Sequence, residues 1–142
     1  MHRHGYKGRK FGRERDQRRA LMRGLMRSLV QYQSIKTTLP KAKDLRPKME
    51  KVISKAKKGD LANRRRVIAA IDDINVGNQL VDVIAPAIKR NSGYLRITKL
   101  DEARVGDNAE MARIEFVDLD EIKKAIEDSE KIAEPKKEKE IK

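Results

Sequence analysis

The chain has 142 residues, 38% hydrophobic and 40% charged, enough apolar material for one domain of ordinary size under a heavily charged surface. Its net charge of +13 self-repels in free solution and points to a polyanionic partner. It contains no Cys, which excludes disulfides and thiolate metal sites, and no apolar run approaches the roughly 20 residues of a membrane span.

The basic N-terminus is not followed by the apolar segment of a secretory signal and lacks the Ser-rich character of a transit peptide. The expectation is a soluble protein of a reducing cytoplasm. Charge is unevenly placed: residues 1–66 hold 22 Lys/Arg against 5 Asp/Glu, whereas residues 67–142 hold 13 against 17. That asymmetry marks a binding half and a scaffold half.

Residues 1–13 form a Gly-punctuated basic arm with almost no core material, which cannot offset its own ordering entropy until phosphates neutralise it. His2 and His4 lack a third metal ligand nearby. Tyr6 and Phe11, set among cations, are suited to stacking on bases or ribose, or Phe11 to stapling onto the helix that follows. A helix is predicted from Glu14 to Tyr32, because Leu21, Met22, Leu25, Met26 and Leu29 make one apolar stripe at about 100° per residue. Arg23 and Arg27 fall opposite that stripe, which leaves a row of guanidinium groups for phosphate.

Ser34 to Leu39 alternates β-branched and polar residues and reads as a short strand. Thr38 and Pro40 then signal a helix start, a capping hydroxyl followed by Pro in the first turn. The helix from Lys41 to Lys58 buries Ala42, Leu45, Met49, Val52, Ile53 and Ala56 and is expected to kink or restart at Pro47. Gly59 closes it, and Asp60 caps a further helix to about Ile74, with Arg64, Arg65 and Arg66 at its basic end. Asn78 is expected to open another helix, interrupted or tightened at Pro86. After the Ser92-Gly93 break come two strands, Tyr94 to Leu100 and Met111 to Asp118, joined through a Gly106-Asp107-Asn108 turn. Leu119, Ile122 and Ile126 suggest one or two helical turns before a charged, frayed tail.

Several stretches resemble the bacterial large-subunit ribosomal protein family numbered seventeen. They are Arg9-x-Phe11-x-Arg13-x4-Arg18-x-Ala20-Leu21-x-Arg23 with Ser28-Leu29, the run Ile35-Lys36-Thr37-Thr38-Leu39-Pro40-Lys41-Ala42-Lys43-x-Leu45-Arg46, and Ala62-Asn63-Arg64-Arg65. Gly93-Tyr94-x-Arg96-Ile97 and Arg104-x-Gly106-Asp107-Asn108-Ala109-x-Met111-Ala112-x-Ile114-Glu115 complete them. Together they span about residues 1 to 118, in order. The chain departs from the usual pattern at Pro47, at Glu110 where a Pro is common, and in the tail.

The resemblance implies an α+β fold: a two-layer α/β domain in the order α-β-α-α-α-β-β, with a small three-stranded sheet packed on helices. The corresponding division is an arm at 1–13, a single globular domain at 14–118 and a charged, flexible extension at 119–142. It implies as partners the large-subunit ribosomal RNA, near the rim of the polypeptide exit tunnel, and neighbouring ribosomal proteins. No cofactor, metal, membrane or small-molecule substrate is expected.

The candidate RNA contacts are Arg9, Lys10, Arg13, Arg15, Arg18, Arg19, Arg23 and Arg27, joined by Arg3, His4, Lys7, Lys36, Lys41, Lys43, Arg64 and Arg65. Such cations displace counterions and position a protein on RNA without reading sequence. Thr37 and Thr38 read equally well as strand and cap residues, and Arg96, Arg104 and Arg113 as solvated charges. A DNA-binding architectural protein is the alternative that charge alone would permit. An enzyme finds little support: both His lie in the arm, no Gly-rich phosphate loop follows a strand, and the side chains of Asp72 and Asp73, taken as one helical face, diverge by about 100°.

Overall fold

A computed structural model describes residues 8–137, with side chains described from Gly8 to Ser129. Arg3, His4 and Lys7 therefore lie outside the described residues. The elements run α1 (Arg15–Tyr32), β1 (Ser34–Thr38), α2 (Leu39–Ala56), α3 (Leu61–Ile71), α4 (Ile74–Gln79), a π-helical turn (Leu80–Ile84), α5 (Ala85–Ala87), β2 (Leu95–Ala103), β3 (Glu110–Phe116) and α6 (Leu119–Lys137). The three strands form one antiparallel sheet in the order β1-β3-β2.

Helix α2 is the axis of the core. Leu39, Ala42, Leu45, Met49, Val52, Ile53 and Ala56 are all buried, and the helix packs on the sheet. Facing it are Ala112, Ile114 and Phe116, the alternate residues of β3, so the period-2 strand meets the period-3.6 helix with apolar groups on both sides. The opposite sheet face is polar. There Lys36 stands in register with Arg113, and Arg113 with Thr98.

Several sequence expectations are corrected. The helix containing Pro47 does not restart; it runs unbroken from Leu39 to Ala56. Both Pro47 and Lys43 are exposed, so the Lys43 carbonyl that loses its donor faces water instead of the core. Thr38 occupies the N-cap position of α2, but its hydroxyl makes no capping bond. Helix α3 stops at Ile71, because Asp72 turns left-handed (φ 64°), and Asp73 rather than Asn78 caps the next helix, accepting from the Val76 amide at 3.1 Å. The pair Asp72-Asp73 is thus a helix junction, not a helix face. Near Pro86 the helix widens instead of tightening: the Ala85 amide reaches back to the Leu80 carbonyl in a π register. Beyond β3 the helix is nineteen residues long, not one or two turns, and Ile122 anchors it in the core.

The junction between α3 and α4 is close. A Cβ on Gly77 would lie 2.8 Å from Ile68 Cγ1 and 3.2 Å from the Ile68 Cα, and backbone cannot swing aside as a side-chain tip can. Gly77→Val is therefore expected to destabilise the fold, since overpacking costs about 1–3 kcal/mol against at most ~0.5 kcal/mol regained in helix propensity. Urea denaturation reads this directly, and an unchanged midpoint would show that α4 can move away from α3.

Candidate nucleic-acid interface

The first turn of α1 and the middle of α2 enclose a hollow of about 420 Å³ lined by Lys10, Arg15, Arg18, Arg19 and Lys48. No carboxylate lines it. Lys10 belongs to the arm, which turns into α1 through the Arg13 amide donating to the Lys10 carbonyl at 3.1 Å. Arg15, Arg18 and Arg19 fall on adjacent turns of α1 because three and four residues separate neighbours on a helix face. Lys48 joins them from α2, where seven residues after Lys41 place it on the same side two turns on. Among the described residues, Lys10, Arg15, Arg19 and Lys48 have no ion-pair partner. Five like charges around one hollow repel one another, so the arrangement favours an anion that bridges them.

Other cations have work inside the protein. Arg27 donates from Nε to the Ile71 carbonyl at 3.0 Å and from Nη2 to the Asp72 carbonyl, and it lies 3.3 Å from the Asp72 carboxylate. It thereby closes the C-terminal end of α3, where carbonyls lack intrahelical donors. Arg23 reaches the same carboxylate at 3.3 Å. Arg64 grips Asp82 with both terminal nitrogens and Asn78 at 3.1 Å, which ties α3 to the following helical run and holds the Asp82 carboxyl below the usual carboxylate range. Lys36 pairs with Glu102 across the outer sheet face, and Arg9 with Asp44 at 2.6 Å.

A second, larger cleft of about 660 Å³ opens between the arm, the N-terminus of α2 and the β2–β3 loop. Arg9, Arg13, Lys41, Lys43 and Arg104 bring positive charge to it, with Glu110 as the one carboxylate in its lining. Lys41 and Lys43 have no ion pair among the described residues. The loop beside it is built as its turn residues dictate: Gly106 and Asn108 take positive φ, and the Asn108 amide donates to the Arg104 carbonyl at 3.0 Å. Hydrogen bonding from the Arg104 guanidinium lowers the Asp107 carboxyl to about 2.

The candidate contacts thus divide. Lys10, Arg15, Arg19, Lys41, Lys43 and the exposed Arg65 present charge outward, whereas Arg23, Arg27, Lys36 and Arg64 are engaged with carboxylates or carbonyls of the same chain. Arg18 lines the smaller hollow while donating to the Arg13 carbonyl at 3.3 Å. Arg9 and Arg13 do both, lining the larger cleft while bonding to Asp44 and to the Phe11 carbonyl. The sequence does not single out Lys48, and it reads Arg104 as a solvated charge, whereas Arg104 lines the larger cleft. The i, i+7 spacing from Lys41 was a signal for Lys48, but only the packing of α1 against α2 brings it to the arginines.

This geometry, a basic arm and two cationic hollows on a small α+β domain, meets an independent sequence finding. The family model described as ribosomal protein L17 matches residues 21–117. The chain belongs to the ribosomal protein L17 family. It is 53% identical over 119 residues to the large ribosomal subunit protein bL17 of Mesorhizobium japonicum, covering 83% of this chain and 82% of that one. The bL17 protein of Beijerinckia indica subsp. indica is 48% identical over 118 residues, 82% of this chain and 84% of its own. That of Rhodopseudomonas palustris is 49% identical over 119 residues, 83% and 85% of the two chains. The L17 family is one of structural ribosomal components, not of enzymes. Among the described residues no cluster of His or carboxylates could hold a metal ion, and no helix is long and apolar enough to cross a membrane.

Proposed function

We propose that this L17-family chain is a structural constituent of the large ribosomal subunit in the bacterial cytoplasm, bound to large-subunit ribosomal RNA and to neighbouring ribosomal proteins. The observation that carries the RNA contact is the hollow of Lys10, Arg15, Arg18, Arg19 and Lys48, in which five cations converge without a carboxylate. Phosphates of a folded RNA neutralise it, and the released counterions drive binding. The arm, including Arg3, His4 and Lys7, extends the contact along the backbone, and the docking site lies near the polypeptide exit tunnel. Specificity comes from RNA shape and 2′-hydroxyls, because phosphate contacts carry no sequence information.

A competition experiment separates this reading from general polyanion binding. The purified chain is bound to large-subunit ribosomal RNA at about 0.15 M salt and challenged with excess duplex DNA. Retention on the RNA is the expected result. Displacement by that DNA would overturn the assignment of RNA as the partner.

A further inference from the structure

The larger cleft holds features that phosphate attraction alone does not need. Helix α2 begins there, and its first-turn amides have no side-chain cap. Thr38 precedes them; it is 9% exposed, lines the cleft, and its hydroxyl has no hydrogen-bond partner among the described residues. The hydroxyl oxygen is open to the cleft and not sealed in the core, so it is free to bond to a ligand there. Uncapped amides at the positive end of an eighteen-residue helix favour an anion, and Lys41 and Lys43 stand beside them.

Across the cleft stands Phe11. Its backbone is left-handed (φ 55°), as is that of Gly12 (φ 60°), a conformation a Phe adopts only when its surroundings impose it. Arg13 imposes it here, donating through its amide to the Lys10 carbonyl and through Nη1 to the Phe11 carbonyl at 2.9 Å. The turn holds an aromatic ring at the cleft, whose wall is continued by Leu39 and Pro40.

We propose that this cleft binds one unstacked nucleotide of the RNA, its phosphate on the Thr38 hydroxyl and the N-terminus of α2, its base against Phe11. Lys41 and Lys43 neutralise the phosphate. Glu110 accepts from a ribose hydroxyl or base amino group, and its charge disfavours a second phosphate there. A duplex cannot present such a nucleotide, so the cleft selects a bulged or looped base. The inference rests on the RNA-binding reading above but can fail without it.

The test is a backbone-amide NMR titration of the full chain with adenosine 5′-monophosphate, inorganic phosphate and a short blunt RNA duplex. The nucleotide is expected to shift the Leu39, Lys41 and Ala42 amides saturably and to bind roughly fivefold or more tighter than phosphate, from stacking. Thr38→Val abolishes both shifts and Thr38→Ser retains them. Phe11→Ala, in the arm and outside the core, removes the nucleotide's advantage and leaves phosphate binding. Equal binding of nucleotide and phosphate, shifts scattered over surface lysines, or stronger perturbation of these amides by the duplex would each overturn the proposal. A chain that enters large subunits but shows no nucleotide shift sinks this site alone. Nucleotide binding by a chain that stays off the ribosome sinks the ribosomal reading alone.

Discussion

Replacing Arg15, Arg18, Arg19 and Lys48 together by Gln is expected to weaken binding to large-subunit RNA by roughly a thousandfold at about 0.1 M salt. The estimate follows from counterion release: four contacts at about 0.7–0.9 each lower the slope of log K against log salt by roughly 3 units. With the electrostatic contribution taken as nil near 1 M salt, three units over one decade give that factor. Filter binding across a salt series measures the slope and the affinity together. The fold should hold, because Arg15, Arg19 and Lys48 are exposed, Arg18 is half-buried at the rim, and none of the four belongs to the hydrophobic core. A variant that is weakened without a change of slope would show that the hollow does not face phosphate.

The contrasting expectation concerns Arg27. Arg27→Ala should cost about 2 kcal/mol of folding stability, because hydrogen bonds to a charged group contribute about 1.5–3 kcal/mol and their loss leaves the end of α3 unsatisfied. The Ile71 and Asp72 carbonyls and the Asp72 carboxylate all lose a donor at once. Arg23→Ala removes only an exposed pair with the same carboxylate and should cost no more than about 1 kcal/mol. Denaturant unfolding of the two variants decides the comparison. RNA affinity, corrected for the folded fraction, should be unchanged in Arg27→Ala. Intact stability with lost RNA affinity would return Arg27 to the RNA-facing set.

These two arginine groups show what the sequence could and could not disclose. Both sit on one helix and both look like outward cations, since periodicity locates a side chain around a helix axis and not against a neighbour. Arg27 acquires its partner only when α3 ends beside α1, a contact 44 residues away in sequence. The stripe of α2 was legible because six of its seven buried positions, Ala42 to Ala56, repeat at helical spacing, whereas Leu39 reads as the end of the strand and instead opens the helix. So was the Asp60 cap, where the carboxylate accepts from the Asn63 amide at 3.2 Å, since capping is local chemistry.

The boundary at Asp72-Asp73 was misread for the opposite reason. Two adjacent carboxylates carry no periodic signal, and the left-handed turn that separates their roles depends on how α4 folds back onto Ile68. The long α6 was missed because only Leu119, Ile122 and Ile126 carry apolar signal at its start, whereas the helix continues to Lys137. Thr38 was weighed as a strand or capping residue. Its lack of a bond to α2 became visible only once the helix start was in place.

The measurement that bears most directly on the central claim is sedimentation of a gentle cell lysate through a sucrose gradient, with the chain followed by mass spectrometry, before and after a moderate salt wash. About one copy per large subunit, retained through the wash, is the predicted result. A chain that stays at the top of the gradient, or travels with the nucleoid, would contradict it.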